Sequence, residues 1–158
     1  MEKSTYHGRA VIDGVCCTLG IMDTTGMEEL TDLLEERIRS ADSFILIYSI
    51  WSHSSFDQIR DLYGWIRELR GEPRGPILIF ENQSNVHNKM FKGLKREVSE
   101  NEGSRLAKDF RCNFIEGCVS RRSDVEKGLF DLVRSLRRRN DVPPCCGICC
   151  YSHLSRCP

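Results

Sequence analysis

The stretch "SFILIYSI", residues 43–50, is a nearly continuous apolar run of strand length. Such a run is typical of a strand covered on both faces, as the inner strands of a parallel sheet are. "PILIF" (76–80) and "CNFIE" (112–116) have the same character, and segments with helical spacing separate the three runs. This alternation predicts an α/β fold with three layers, in which a mostly parallel sheet lies between helices.

The segment before this alternation, "RAVIDGVCCTLGIMD" (9–23), predicts an antiparallel hairpin. Two β-rich runs flank Asp13 and Gly14, a dipeptide that suits a tight turn with positive φ. The sequence therefore predicts an antiparallel edge on the otherwise parallel sheet.

Helices are predicted between the strands. Apolar residues recur at helical spacing from 30 to 38, and a further helix is expected around 101–110. Capping-box patterns at Ser55–Gln58 and Ser123–Glu126 predict the starts of two more helices, each with an apolar stripe behind it.

Composition limits the classes of function. A chain of 158 residues suits one domain with a real core. Its 23 basic and 23 acidic residues balance, so overall charge predicts no nucleic-acid partner. No stretch approaches the ~20 apolar residues that a membrane-spanning helix needs.

The nine cysteines are unevenly distributed. Four lie in apolar stretches and are interpreted as small core residues: Cys16, Cys17, Cys112 and Cys118. The other five crowd into "PPCCGICCYSHLSRCP" at the end of the chain. We therefore predict a main domain at residues 1–140 and a Cys-rich tail at 141–158.

Several of these segments together carry a family likeness. "VIDG", "DTTGMEE", "FILIYSI", "SFDQI", "RLAKDF" and "FIEGCVS" follow one another, from Tyr6 to Arg139, in an order and spacing that resemble a Ras-like small GTPase. The resemblance implies GTP or GDP and Mg²⁺ as cofactors. It implies that Asp23 reaches the metal and that the backbone N–H of Gly26 meets the terminal phosphate. It also implies effector or regulator proteins that bind residues 26–39 and the strand near Tyr6.

The chain departs from this family at its start. The family's first strand, its Gly-x-x-x-x-Gly-Lys-Ser/Thr phosphate loop and its first helix have no counterpart, because Met1 falls about where the first switch threonine would be. The missing strand would lie between the hairpin and strand 43–50. We expect those strands to pair directly, to dimerise, or to leave the domain marginally stable. A truncated gene model or splice form of a longer protein is an equal alternative.

The catalytic position of the family is also changed. Met27 stands where the resemblance implies a glutamine that orients the attacking water. A thioether cannot donate a hydrogen bond, so no catalytic residue is intact and GTPase activity stays an open question.

The base-reading motif is altered as well. "NQSN" keeps Asn82, but Gln83 replaces the family's lysine and Asn85 replaces its aspartate. An amide offers one acceptor where the guanine edge needs two, which weakens discrimination by a few kcal/mol. The supporting motif is represented by Cys118 and Val119.

The tail is a second candidate site. A basic cluster, Arg134 and 137–139, precedes paired cysteines, which is typical of a membrane anchor with two signals. The predicted acylation sites are Cys145, Cys146, Cys149 and Cys150, since "SRCP" does not form a prenylation box. This interpretation places the protein on the cytoplasmic face of a membrane, the plasma membrane first, or in the cytoplasm if it is not acylated. A solvated helix end explains the arginines equally well.

A metal site competes with acylation. Cys146, Cys149, His153 and Cys157 supply four zinc-type ligands within 12 residues. Three functions therefore remain open: a pseudo-GTPase that acts through protein partners, a shortened form of a true nucleotide switch, and a zinc-binding tail module on an inert domain.

Overall fold

The computed structural model describes residues 5–24, 31–71, 75–83, 95–139 and 145–152, the last range by its backbone alone. The elements are β1 (Thr5–Ile12), β2 (Val15–Asp23), α1 (Thr31–Ser40), β3 (Ser43–Ser49), α2 (His53–Arg70), β4 (Ile77–Asn82), α3 (Glu100–Phe110), β5 (Asn113–Gly117), α4 (Arg122–Arg138) and β6 (Cys145–Ser152).

All six strands form one sheet in the order β1-β2-β6-β3-β4-β5. β1 and β2 are antiparallel, and every other neighbouring pair is parallel. The predicted α/β class, with a hairpin on a mostly parallel sheet, is confirmed. The predicted turn is present too, because Asp13 and Gly14 have φ values of 53° and 77°.

The middle of the sheet differs from the expectation. β2 and β3 neither pair with each other nor present free edges, because β6 lies between them. β6 pairs with residues 18–23 of β2 on one side and with residues 43–47 of β3 on the other. The segment predicted as a tail outside the domain is thus part of its sheet. Without a neighbour, β2 and β3 would each carry a row of unpaired backbone N–H and C=O groups. β6 lies parallel to both strands and pairs with both rows.

Two helix starts also differ from the prediction. α2 begins at His53, and Ser52 is its N-cap, with a hydroxyl that accepts the N–H of Ser55. The serine predicted as the cap lies one turn inside the helix. α4 has Arg121 at the N-cap position without a side-chain cap, so the predicted box at Ser123–Glu126 is wrong. A capping box does form at Ser99 and Glu102 at the start of α3.

Two apolar layers hold the helices on the sheet. One cluster joins α1, α2 and α3 to Phe44, Leu46 and Tyr48 of β3. The other joins α4 and the hairpin to the alternate residue Ile45 and to β4 and β5. Because successive strand residues point to opposite faces, the apolar run at 43–50 serves both layers, which gives the predicted three-layer architecture.

Candidate functional site

The candidate nucleotide residues are brought to one edge of the sheet. Asp23 ends β2, Asn82 ends β4, and Cys118 follows β5 directly. These strands run parallel, so their carboxyl ends meet at the same edge. Between Asp23 and Asn82 lie β6 and β3, a separation of three strand spacings or roughly 14 Å.

Asn82 holds the loop after β5. Its side chain is only 4% exposed, and its Oδ1 accepts the backbone N–H of Val119 at 3.2 Å. The same loop is fixed from the other side, because Asp124 Oδ2 accepts the N–H of Cys118 at 2.9 Å. The structure thus brings together Asn82, Cys118 and Val119, three of the residues that the resemblance implied for a nucleotide site. Asp124 belongs to this group and was missed, since the sequence assigned it only to a helix start.

Gln83 extends the same cluster. Its N–H donates to Gly117 O at 2.8 Å, and its side-chain amide donates to a carboxylate oxygen of Glu116. A lysine at this position would carry a cation, whereas the amide is neutral. The contact with Glu116 directs the amide to β5, so Gln83 serves to join the ends of β4 and β5.

A buried polar network, missed in the sequence, lies one residue before Asn82. Glu81 is 0% exposed, Tyr48 donates its hydroxyl proton to Glu81 Oε2 at 2.5 Å, and Arg96 donates to Oε1. Arg96 also donates to Val98 O at 2.6 Å. Burial raises the pKa of Glu81, and the contacts with Tyr48 and Arg96 oppose that rise. Burial, followed by the Glu81 contact, raises the pKa of Tyr48.

The network has a structural role that affects the site. Asn82 continues the strand that Glu81 anchors, and Asn82 O accepts the N–H of Ile50 at 3.2 Å. The signal in the sequence was a glutamate in an otherwise apolar strand, with an arginine 15 residues later. A buried carboxylate needs such partners, so this pair could have been inferred.

The described residues do not provide a complete site for Mg²⁺ and GTP. Asp23 is half-buried at the end of β2 and is followed by the fully buried Thr24. Within the described ranges, no group of three or more His, Cys, Asp or Glu could hold a metal ion. Gly26, Met27 and Asn85 lie outside the described residues. Among the described residues, the Asp23 carboxylate accepts hydrogen bonds and repels an anion, and the neutral Gln83 amide donates to Glu116. Neither supplies the cationic or backbone N–H donors that a nucleotide's charged phosphates need.

The predicted acylation sites lie in the central strand. Cys145, Cys146, Cys149 and Cys150 all belong to β6, where Cys149 is in register with Met22 of β2 and Phe44 of β3. Of the predicted zinc ligands, His153 and Cys157 lie outside the described residues.

The basic cluster at the end of α4 is divided. Arg134 forms a two-point contact with the Asp13 carboxylate at 2.9 and 2.7 Å, and Arg137 donates to Ile12 O at 2.8 Å. The hydrogen bond to Arg134 lowers the pKa of Asp13. These two arginines therefore attach α4 to the hairpin, while Arg138 and Arg139 are exposed.

The surfaces predicted for partners are partly described. Residues 31–39 belong to α1, where Asp32, Glu36 and Arg39 are exposed, and residues 26–30 lie outside the described ranges. β1 is an edge strand, and the side chain of Tyr6 is 63% exposed. Among the helices described, none has the length and apolar character required to cross a bilayer.

Comparison with known proteins gives consistent matches. A family model described as the Ras family matches residues 2–138. Protein ras-2 of Neurospora crassa is 35% identical over 150 residues, which cover 87% of this chain and 66% of that protein. Ras-like protein 1 of Pyricularia oryzae is 36% identical over 149 residues, covering 87% and 62%. Ras-like protein B of Aspergillus fumigatus is 34% identical over 154 residues, covering 87% and 64%. The chain spans less than two thirds of the length of these relatives.

Proposed function

Since this chain belongs to the Ras family of small GTPases, we propose that it is a signalling protein of that family that acts through protein partners and binds and hydrolyses GTP weakly or not at all. In this proposal the domain binds other proteins, and the edge of the sheet that carries Asp23 and Asn82 is the remnant of a nucleotide site.

The observation that carries the proposal is the identity of the strand between β2 and β3. In an open parallel sheet, ligands bind beyond the carboxyl ends of the strands, and phosphates need a loop of backbone N–H groups at such an end. Here the strand in that position is β6, and "HLSRCP" (153–158) follows it. That segment contains neither glycine nor lysine, so it offers no counterpart to a phosphate loop and its ammonium group.

The test is an equilibrium titration of the purified chain with fluorescent GTP, GDP and XTP, with and without Mg²⁺. We expect no nucleotide to bind with a Kd below ~100 μM, so the binding free energy should be less than ~6 kcal/mol in magnitude. The variants Asn85→Asp and Met27→Gln restore the family residues one at a time. We expect neither to restore micromolar binding, because neither supplies phosphate contacts.

Two outcomes would change the conclusion. Magnesium-dependent micromolar binding by the unmodified chain would refute the proposal. A preference for XTP over GTP would show that Asn85 reads the base.

The proposed partner surface comprises the exposed face of α1 and the outer edge of β1. Asp32 and Glu36 make the α1 face acidic, and an edge strand accepts an added strand from a partner. We expect an effector or regulator with a basic face. Proximity labelling should lose this partner with Asp32→Lys/Glu36→Lys and keep it with the matched pair Asp61→Lys/Glu68→Lys on α2. Equal loss with both pairs would contradict this surface.

A membrane-associated form is the corresponding proposal for the tail. Its acylation at Cys145, Cys146, Cys149 and Cys150 requires β6 to leave the sheet, because an inner strand of a parallel sheet is covered on both faces and does not present its side chains to a modifying enzyme. Changing all four to serine should abolish partitioning to membranes in cells, with Cys16→Ser as the control. Unchanged partitioning would refute acylation as the anchor.

Two alternatives have their own tests. The chain spans less than two thirds of its relatives, so a longer form that carries a phosphate loop and switches with GTP is the second candidate. Transcripts that encode such a loop, and tight GTP binding by their product, would establish it. A zinc-binding tail would instead yield stoichiometric zinc in the purified protein, and its absence would exclude that alternative.

A further inference from the structure

A cleft with a volume of about 770 Å³ opens at the edge of the sheet opposite the nucleotide residues. It lies where α2, α3 and α4 end and where β4 and β5 begin. Volumes of this size are typical of small-molecule sites. Nothing in the nucleotide edge uses this cleft, so its chemistry is independent of the function proposed above.

The cleft is strongly basic. Its described walls carry the arginines Arg67, Arg111, Arg138 and Arg139, and Asp109 is the one acidic residue among the described residues that line it. Four guanidinium groups against one carboxylate give these described residues a formal charge of +3. All four arginines are exposed. Guanidinium groups bind carboxylate and phosphate oxygens in forked, two-point contacts.

The C-terminal end of a helix favours a cation by itself, so an arginine at such an end does not alone indicate a ligand site. The neighbouring arginines of the same helix ends provide a comparison. Arg70, in the last turn of α2, donates to the carbonyls of Ile38 and Ala41, and Arg137 of α4 donates to Ile12 O. These two arginines connect elements of the fold. Arg67, which lies over the Tyr63 ring, and Arg138 belong to the same two helix ends, and both are exposed and line the cleft.

The walls of the cleft are held in place before any ligand binds. The rings of Tyr63 and Phe110 are stacked with centroids 3.8 Å apart and planes at 4°, which joins the ends of α2 and α3. On the other side, the Asn113 amide donates to Ser135 Oγ at 3.1 Å, and Arg138 donates to the same oxygen at 2.8 Å. A pre-organised site loses less entropy on binding.

We propose that this cleft binds a compact polyanion with two or more phosphate groups on a ring or short chain. The lining arginines come from α2, from the α3–β5 connection and from α4, so a ligand with several phosphate groups can pair with more of them than a single phosphate can. The same chemistry occurs in soluble inositol polyphosphates and in phosphoinositide headgroups, and the experiment separates these two sources.

The test uses the full chain in isothermal titration with inositol hexakisphosphate at about 0.15 M salt, where weak surface attraction is screened. Arg111→Gln/Arg138→Gln should weaken binding by about tenfold or more, a change of ~1.4 kcal/mol. The matched pair Arg9→Gln/Arg122→Gln removes the same charge elsewhere and should change affinity less than about twofold. Urea unfolding of each variant verifies that it is folded.

A second arm measures sedimentation with phosphatidylcholine vesicles that contain either a phosphoinositide bisphosphate or phosphatidylserine at matched charge. Selective binding to the phosphoinositide vesicles, lost with the cleft pair alone, assigns the lipid source, and binding in the titration alone assigns the soluble one. Equal weakening by both arginine pairs, equal binding to both vesicle types, or no binding in either arm would overturn the proposal.

Discussion

Removing β6 tests the central feature of this fold. A chain that ends at Arg139 lacks the strand between β2 and β3, whereas a chain that ends at Ser152 loses only the six residues after it. The comparison therefore isolates the strand, and both variants keep every residue of the other described elements.

The expected loss of stability follows from what β6 holds together. Its six register pairs with β2 and five with β3 allow about ten backbone hydrogen bonds, worth about 1 kcal/mol each. Ordering eight residues costs about 1–2 kcal/mol each, which offsets most of that gain. Apolar burial decides the balance. Without β6 no described strand joins the hairpin to β3, and the hairpin is held by its contacts with α4. Where those contacts open, Ile12 and Leu19, 1% and 6% exposed, are uncovered. Exposing both costs about 3–6 kcal/mol.

The assay is urea unfolding followed by circular dichroism, together with light scattering over a range of protein concentrations. A loss of about 3–6 kcal/mol is a large part of the 5–15 kcal/mol that stabilises a typical domain. The chain ending at Arg139 should therefore be largely unfolded, or should associate through the open edges of β2 and β3. The chain ending at Ser152 should unfold at the midpoint of the full chain.

Hydrogen exchange tests the pairing of β6 in the intact protein. The amides of residues 146–151 should be as protected from exchange as those of β3. A monomeric chain ending at Arg139 with an unchanged midpoint, or fast exchange across β6, would refute the account of the sheet.

Three further predictions concern single side chains. Arg96→Met should destabilise the domain by about 2–4 kcal/mol in urea unfolding, because it leaves the Glu81 carboxylate buried without its cation. Adding Glu81→Gln should recover part of this loss. A loss under ~0.5 kcal/mol would contradict the network. Gly103→Ala should cost about 1–3 kcal/mol, because a Cβ there would lie 2.1 Å from the Tyr48 hydroxyl, whereas Gly64→Ala, in open space on α2, should be neutral or stabilising by up to ~1 kcal/mol. The hydrogen bond to Asp57 raises the pKa of His53, so the contribution of this pair to stability is complete below the ordinary value of 6.5 and is lost as pH rises through the folded pKa. An NMR titration should show a higher His53 pKa in the unchanged protein than in Asp57→Asn. Equal values would refute the pairing.

Helix starts show how local signals compete with tertiary contacts. Ser52 and Ser55 are both good N-caps, and the sequence favoured Ser55 because Gln58 follows it. In the fold, the Ser55 hydroxyl accepts the N–H of Ser49 at 3.0 Å at the end of β3, so it is used in the core. Likewise the Asp124 carboxylate accepts the N–H of Cys118 in the loop after β5, in addition to side-chain contacts from Arg121 and Ser123 at the start of its own helix.

The sequence by itself determined the hairpin, the other three strands of the main domain and the four helices, apart from the starts of α2 and α4. Apolar runs such as 43–50, the Asp13–Gly14 turn and the helical spacing are written within a few residues, and the energies that decide them are local. The resemblance implied that Asp23 and Asn82 belong to one nucleotide site, and the parallel pairing of β2, β6, β3 and β4 places both at the carboxyl edge of the sheet.

Only the tertiary structure decided the role of the last strand and the division of the α4 arginines. Each depends on partners far along the chain: β6 pairs with strands about a hundred residues earlier, and Arg134 binds Asp13. "CCGICCYS" has no alternation to mark it as a strand. It becomes one because β2 and β3 present open rows of backbone donors and acceptors that a parallel segment can satisfy.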